Sequence, residues 1–168
     1  HVFKKSYKLK IVYNPEFLTE ANAAQDFINP NMQVLGGKWK DCDTVEKAYN
    51  RYSDVRVVPT FKVDLSTASL IKYTINSWLA TKVVFFNELQ KLQQASSSMV
   101  SWEQFTDMLT RDPRIGNTHM KVPGPDGEFG FGGHCFPKDT EALINYAKSK
   151  NIKLSLLEKA VNKNKKMR

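Results

Sequence analysis

The sequence lacks the features that define several classes of protein. Its 168 residues contain two cysteines, far apart, with no Cys-x-x-Cys motif and no Cys/His pair at metal-ligand spacing. We therefore expect no disulfide framework, no bound metal and a reducing, cytoplasmic setting. No apolar run approaches the roughly 18 residues of a membrane-spanning helix, and no secretory leader is recognised, so we expect no membrane association. A Gly-rich phosphate-binding loop after a strand is also missing.

The positive charge of the chain, formally +8, is concentrated at its ends. Residues 145–168 contain eight Lys or Arg against one Glu, and residues 1–10 contain four Lys and no acidic residue. A nucleic-acid-binding protein more often interleaves basic residues with exposed aromatic ones on one face. The distribution argues against nucleic acid as a partner, which stays open only as a third, weaker hypothesis.

Short apolar segments alternate with helical patterns over the first 64 residues. Three strands and two helices are predicted, in the order strand 8–13, helix 15–28, strand 32–35, helix 43–52 and strand 56–59. Pro15 is expected to open the first helix, and Asn29-Pro30 to end it. This βαβαβ pattern indicates the edge of an α/β sheet of the Rossmann type.

The second part of the chain is predicted to be helical and to contain one long helix. Residues 65–94 include neither Gly nor Pro, and their apolar residues recur at helical spacing. Such a helix exceeds what a small core needs, so we predict a homodimer built on it. We therefore expect a mixed α/β, mostly helical protein, with one domain at 1–64 and a helical dimerisation domain at 65–168.

Further helices and one long loop follow the long helix. Ser101 and Gln104 have the spacing of a capping box, and Ser155 and Glu158 repeat it before a basic C-terminal helix. Six of the eight glycines lie between residues 116 and 133, which predicts a functional loop without regular structure. Pro137 is expected to open the next helix, which runs to about residue 150.

Cys135 is the most informative candidate for chemistry. It follows Gly132-Gly133 and precedes a predicted helix, where unpaired N–H groups and the helix dipole favour a thiolate. The alternative is a buried structural thiol, which is also our interpretation of Cys42 in its charged loop.

Lys72 and Asn76 are four residues apart on the predicted long helix, so they share one face. That face also carries apolar residues, so both polar groups are expected to need a protein partner, and together they could bind an oxyanion. The alternative is a solvated lysine and an asparagine paired with a neighbouring helix. Glu16 and Glu20 have the same spacing, which alone indicates only a favourable helix start.

Basic residues enter the glycine loop, where arginine suits a phosphate ligand. A solvated loop face is the alternative. The residues concerned are Arg111, Arg114, His119 and Lys121.

Four motifs in this order over residues 12–145 resemble the UDP-glucose/GDP-mannose dehydrogenases, and most closely the members that oxidise UDP-glucose. They are Asn14–Glu20, Leu70–Lys82, Asp112–Gly116 and Gly130–Thr140. The Gly-Phe-Gly-Gly-His-Cys-Phe-Pro-Lys-Asp run is the most specific. The resemblance implies that the C6 alcohol of a nucleotide sugar is oxidised to a carboxylate with NAD, through a thiohemiacetal and then a thioester.

The resemblance also implies a role for each matching residue. Cys135 would be the nucleophile, Lys72 and Asn76 would hold the oxyanion, and Asp139 would act in water and proton transfer. Glu16 would assist thioester hydrolysis. Arg114 would reach the sugar nucleotide of a neighbouring subunit. Other substrate contacts would come from Glu20, Phe131, Gly132 and Lys138, with Glu20 and Lys138 also on the cofactor side.

The sequence departs from the family in three respects. The Gly-x-Gly-x-x-Gly loop that binds NAD is absent, residues 122–128 form an extra-looking stretch, and His134 stands where a small residue is common. We therefore expect a central catalytic segment that is inactive alone. The alternative is a non-catalytic dimeric interaction module derived from the same family.

Overall fold

The polypeptide forms two compact units, and the boundary between them falls within one long helix. The computed structural model describes residues 9–19 and 22–168. The first unit comprises the described residues up to Lys72, and the second comprises residues 73–168.

A three-stranded sheet with two helices forms the first unit. Its strands are β1 (Val12–Tyr13), β2 (Gln33–Gly37) and β3 (Thr60–Val63), in the order β1-β2-β3. β1 pairs antiparallel with the end of β2, and β2 runs parallel to β3. The helices are α1 (Ala23–Ile28) and α2 (Trp39–Tyr52). The centre of β2 is apolar and fully buried, which accounts for the parallel pairing on its inner side.

Helices and one long loop make up the second unit. Helix α3 (Leu65–Ala95) enters from the first unit and is followed by α4 (Trp102–Leu109), α5 (Cys135–Ser149) and α6 (Ser155–Asn164). Residues 110–134 contain neither helix nor strand. The core lies along α3, where Phe86 packs with Trp102 and Val84 packs with Phe131.

The fold class agrees with the sequence-based expectation, being mixed α/β and mostly helical, with one long helix. Helix α3 matches its prediction to within one residue. The capping box before α4 is also confirmed, because Ser101 Oγ accepts the Gln104 N–H at 3.2 Å and Gln104 Oε1 accepts the Ser101 N–H at 3.0 Å. The domain boundary at residue 64 stays a prediction.

The helix predicted from Pro15 is wrong in its first half. Residues 14–19 are not helical, and α1 begins at Ala23. Nearby carboxylate side chains accept hydrogen bonds from the backbone N–H groups that a helix would use. The Glu16 carboxylate accepts the Leu18 N–H at 2.9 Å, and the Asp26 carboxylate accepts the Thr19 N–H at 2.8 Å.

Two predicted strands and one predicted helix also need correction. Within the described residues the first strand is reduced to β1, which pairs with only two residues of β2. The strand predicted at 56–59 is wrong, because the Arg56 N–H bonds to Ile28 O at 2.8 Å and Pro59 has no N–H to give. The sheet resumes at Thr60. The helix predicted from Asp43 begins four residues earlier, at Trp39.

Two helix starts in the second unit differ from the prediction. Helix α5 begins at Cys135, with Pro137 inside its first turn, where the missing N–H costs no helical hydrogen bond. The second capping box is wrong, because Ser155 is already helical and Leu154 occupies the cap position without a side-chain hydrogen bond. Glu158 instead pairs with Lys148 at 3.6 Å.

We expect the Ser101→Ala substitution to lower the free energy of unfolding by about 1 kcal/mol, because it removes a formed capping box. Ser155→Ala is the matched control and should change that free energy by less than about 0.5 kcal/mol. Urea unfolding followed by circular dichroism measures both. Equal losses in the two variants would contradict the assignment of these helix starts.

Candidate active site

Lys72 is held within the first unit by the segment that carries Glu16. Its side chain is buried, with 7% of the residue exposed. The ammonium donates to the backbone carbonyl of Glu16 at 2.6 Å and also to the Glu16 carboxylate. The ring of Phe17 lies 5.9 Å from Nζ. The interpretation of Lys72 as a solvated lysine is therefore wrong, because a buried ammonium must find its partners in the protein.

Asp139 is the most buried carboxylate of the candidate site, with none of its surface exposed. Asn76 Nδ2 donates to its Oδ2 at 2.6 Å, and Lys138 Nζ lies 2.5 Å from its Oδ1. Each oxygen thus has a donor, which a buried carboxylate requires. The carboxylate in turn raises the pKa of Lys138, and the charges of Tyr73 and Cys135 act in the same direction.

Cys135 is half-buried and is the first residue of α5. The N–H groups of a first helical turn have no partner within the helix, and Cys135 lies in that turn. Partially exposed thiols at helix N-termini are the reactive kind.

Cys42 differs from Cys135 in its accessibility. It lies in helix α2 rather than in the charged loop that was predicted, and it is completely buried. Its Sγ donates to Leu35 O at 3.5 Å. Burial raises the pKa of its thiol, and Asp41 adds to the effect. The structural interpretation of Cys42 is confirmed.

The glycine segment before Cys135 is shaped by close contacts. Gly130 and Gly133 have φ values of 72°, which favour glycine. A Cβ at Gly132 would overlap the Arg168 guanidinium. Phe131 is buried and packs edge-on against Phe136 with ring centroids 6.1 Å apart.

Two buried asparagines that the sequence reasoning missed hold this segment. Asn87 Oδ1 accepts the Gly130 N–H at 3.0 Å, and Asn164 Oδ1 accepts the Phe131 N–H at 2.6 Å. The signal that could have found them is an asparagine among the apolar positions of each helix, since a buried carboxamide needs partners.

The basic residues at the start of the loop divide into exposed and buried groups. Arg114 is exposed and forms a bidentate ion pair with Asp112, with Nε–Oδ1 and Nη2–Oδ2 distances of 2.9 and 2.5 Å. Arg111 pairs with Asp107 at 3.5 Å on the surface. These two contacts agree with a solvated loop face.

Lys82, also missed by the sequence reasoning, is buried beneath the loop. Its ammonium donates to Ile115 O at 2.9 Å and Gly116 O at 3.3 Å, and burial lowers its pKa. His119 has a positive φ of 63°, and its buried Nδ1 has no hydrogen-bond partner among the described residues. Burial, and then the charge of Lys82, lowers the pKa of His119.

The last candidates are Glu20, a metal site and a membrane-spanning helix. Glu20 lies outside the described residues. Over residues 9–19 and 22–168, no three His, Cys, Asp or Glu side chains are grouped to hold a metal ion. Within the same ranges, no helix has the length and apolarity needed to cross a membrane.

Two family descriptions match successive parts of the chain. Residues 2–53 match the NAD binding domain of the UDP-glucose/GDP-mannose dehydrogenase family, and residues 66–166 match its central domain. The chain therefore belongs to the UDP-glucose/GDP-mannose dehydrogenase family.

Individual relatives agree with this assignment. The chain is 35% identical over 166 residues to UDP-glucose 6-dehydrogenase TuaD of Bacillus subtilis, covering 98% of this chain and 34% of that protein. It is 38% identical over 165 residues to UDP-glucose 6-dehydrogenase of Rickettsia bellii, covering 96% of this chain and 36% of that protein. The chain thus spans about a third of the length of these relatives.

A solved structure has the same fold. The UDP-glucose dehydrogenase of Pyrobaculum islandicum superposes with a TM-score of 0.80 at 28% identity, covering 94% of this chain and 34% of that one. The UDP-D-ManNAc dehydrogenase of Pyrococcus horikoshii gives a TM-score of 0.78 at 21% identity, which supports the fold alone.

We expect Asn76→Leu to lower the free energy of unfolding by about 2–3 kcal/mol, because Asp139 Oδ2 would be left buried without its donor. Asn145→Leu, on an exposed position of α5, is the control and should cost less than about 0.5 kcal/mol. Chemical denaturation measures both. A similar cost in the two variants would show that the buried hydrogen bond contributes little.

We expect His119 to make stability fall as the pH decreases through about 6.5, the ordinary pKa of an imidazole. Because the folded-state pKa lies below that of the unfolded chain, the unfolded state binds more protons and gains from acid. His119→Gln should lose less stability between pH 7.5 and 5.5 than the parent chain. His134→Gln, at an exposed position, should retain the parent's pH dependence, and thermal unfolding at each pH tests both.

Proposed function

We propose that this chain is the central catalytic segment of a nucleotide-sugar dehydrogenase that oxidises UDP-glucose to UDP-glucuronate. The observation that carries the proposal is the buried, doubly paired Asp139, which lies one turn after Cys135 on α5. Keeping a carboxylate fully buried is costly, and such groups concentrate at functional sites.

The chemistry assigned to Cys135 is nucleophilic catalysis. Its thiolate adds to the C6 aldehyde of the sugar and forms a C–S bond, and the carbonyl oxygen becomes the oxyanion of a thiohemiacetal. After oxidation to the thioester, water attacks the same carbon and the C–S bond breaks. The carboxylate product leaves, and the sulfur departs as thiolate.

Lys72 and Asn76 are the donors proposed for the oxyanion. They are one turn apart on the continuous helix α3, so both side chains leave the helix in similar directions. Each is already buried and polar, and donors of this kind need little reorganisation when charge develops. In this proposal the carboxylates of Glu16 and Asp139 orient these donors and accept protons from the attacking water.

We propose that Phe131, Gly132, Lys138 and Glu20 contact the sugar nucleotide, and that Lys138 and Glu20 also bind the cofactor. NAD, when bound, accepts the hydrides. The described glycines of the first unit do not fit a dinucleotide cradle, because a Cβ on Gly36 would meet Ala68 at 2.6 Å and one on Gly37 would meet Ile11 O at 3.0 Å. Both close approaches serve packing, so we assign the NAD loop to residues other than these. The cytoplasmic location stays a prediction.

A homodimer built on α3 is part of the proposal. Trp78, Phe85 and Leu92 recur every seven residues on this helix and are 64%, 57% and 62% exposed. Residues at this spacing share one side of a helix, so they form an apolar stripe that a second copy would cover. Arg114 would then reach the site of the neighbouring subunit. The same stripe favours the second candidate function, a dimeric interaction module without catalysis.

Thiol reactivity separates the two candidates. We expect iodoacetamide at pH 7.5 to modify Cys135 at least about tenfold faster than Cys42, because only Cys135 is accessible at a helix N-terminus. Peptide mass spectrometry resolves the two sites within one sample, so Cys42 is the internal control. Equal and slow modification of both thiols would favour the interaction module.

We expect the chain to sediment as a dimer at micromolar concentration and the Phe85→Glu variant to sediment as a monomer, because a charge would interrupt the apolar stripe. Leu156→Glu is the matched control, since Leu156 is 75% exposed on α6, and it should leave the dimer intact. A monomeric parent chain with its helical circular dichroism preserved would exclude the α3 dimer.

A further inference from the structure

The buried carboxamide of Asn164, at the end of α6, forms both of its hydrogen bonds with one loop residue. Asn164 Oδ1 accepts the Phe131 N–H at 2.6 Å, and Asn164 Nδ2 donates to Phe131 O at 2.9 Å. Only 7% of Asn164 is exposed. This two-way pairing resembles one step of a β ladder made by a side chain, and it fixes the orientation of the Phe131 peptide.

The approach of Asn164 is as close as a backbone allows. A Cβ at Gly130 would overlap Asn164 Oδ1, so glycine at position 130 is required for the contact as well as for its φ of 72°. Asn87 of α3 separately accepts the Gly130 N–H. Two helices therefore hold consecutive residues of the same segment through one asparagine each.

Phe131 transmits this restraint toward Cys135. Its ring packs edge-on against Phe136, the second residue of α5, and the two share a hydrophobic cluster with Val161 of α6. Only Gly132, Gly133 and His134 separate Phe131 from Cys135. Glycines supply no side-chain packing, so the path of the backbone from Phe131 to Cys135 depends on what holds Phe131.

The residues after α6 add a second restraint on the same segment. The Arg168 guanidinium lies against Gly132 and pairs with Asp126, within the extra-looking stretch at residues 122–128. Arg168 thereby connects residues 122–128 to the glycine segment.

We propose that Asn164 is a positioning residue that sets the conformation of residues 130–135, so that α6 determines how Cys135 is presented. This inference rests on the proposed role of Cys135 as nucleophile. Helix α6 carries no candidate catalytic group. In this proposal it nevertheless controls the reactivity of Cys135.

The test uses the 168-residue chain and three variants: Asn164→Leu, Asn164→Asp and the control Asn162→Leu, at an exposed position of α6. Amide hydrogen exchange is followed by NMR, and Cys135 alkylation by mass spectrometry. In Asn164→Leu we expect exchange at Phe131 and at residues 132–135 to rise at least about tenfold, with α3 amides unchanged. We expect alkylation of Cys135 to slow at least about threefold, because the segment that leads into Cys135 is no longer held.

Asn164→Asp keeps the acceptor for the Phe131 N–H but loses the donor to Phe131 O, so its Cys135 alkylation rate should lie between those of Asn164→Leu and the parent, whereas Asn162→Leu should match the parent. Faster exchange at Phe131 with an unchanged alkylation rate would overturn the proposal, since Asn164 would then be only structural. If Asn164→Leu fails to fold, an Asn164→Asp variant with parental exchange at residues 132–135 and slower alkylation would overturn it too. A parent chain in which Cys135 reacts no faster than Cys42 would instead refute the proposed function. The exchange data would still test whether Asn164 holds residues 130–135.

Discussion

The loop at residues 110–134 has no helix or strand of its own, and the second unit depends on how its backbone groups are satisfied. A buried carbonyl or N–H without a partner costs free energy comparable to a lost hydrogen bond. Helix α3 supplies the partners from its buried face. Lys82 binds two carbonyls, Asn87 accepts the Gly130 N–H, and Gln90 Nε2 donates to Val122 O at 3.1 Å. A helix with polar side chains at core positions is thus the scaffold of an irregular loop.

Because α3 supplies these partners, its buried side is not purely apolar. Asn76, Lys82 and Gln90 are at least nine-tenths buried, at positions that would be apolar in a simple bundle. Each is matched to a fixed acceptor in the loop or on α5. Buried polar groups that are paired in this way favour one arrangement, because an alternative packing would leave these three side chains unpaired. The rigidity that the candidate site requires therefore follows from the polar residues of the core.

The sequence predicted those elements whose signals are local. Helix α3 and the capping box at Ser101 need only periodicity and two side chains, and both are where expected. The second capping box has the same residue pattern, but the backbone continues as helix through Ser155, and the pattern alone does not reveal this. The helix predicted from Pro15 is wrong in its first half, because the Thr19 N–H bonds to the carboxylate of Asp26, seven residues further along the chain. For the candidate site, the motif predicts Asp139 and Cys135, whereas Asn164 lies far along the chain and its side chain bonds to the Phe131 backbone, so no motif marks it.

The placement of the three tryptophans gives the chain an optical property. Trp39 and Trp78 are 67% and 64% exposed, whereas Trp102 is 7% exposed and its Nε1 donates to Met120 O at 3.0 Å inside the loop. An indole in an apolar setting emits at shorter wavelength than one in water, because its polar end and ring are shielded from the solvent dipoles. Trp102 is therefore an intrinsic fluorophore whose emission reports whether the loop is seated on α3, without any introduced label.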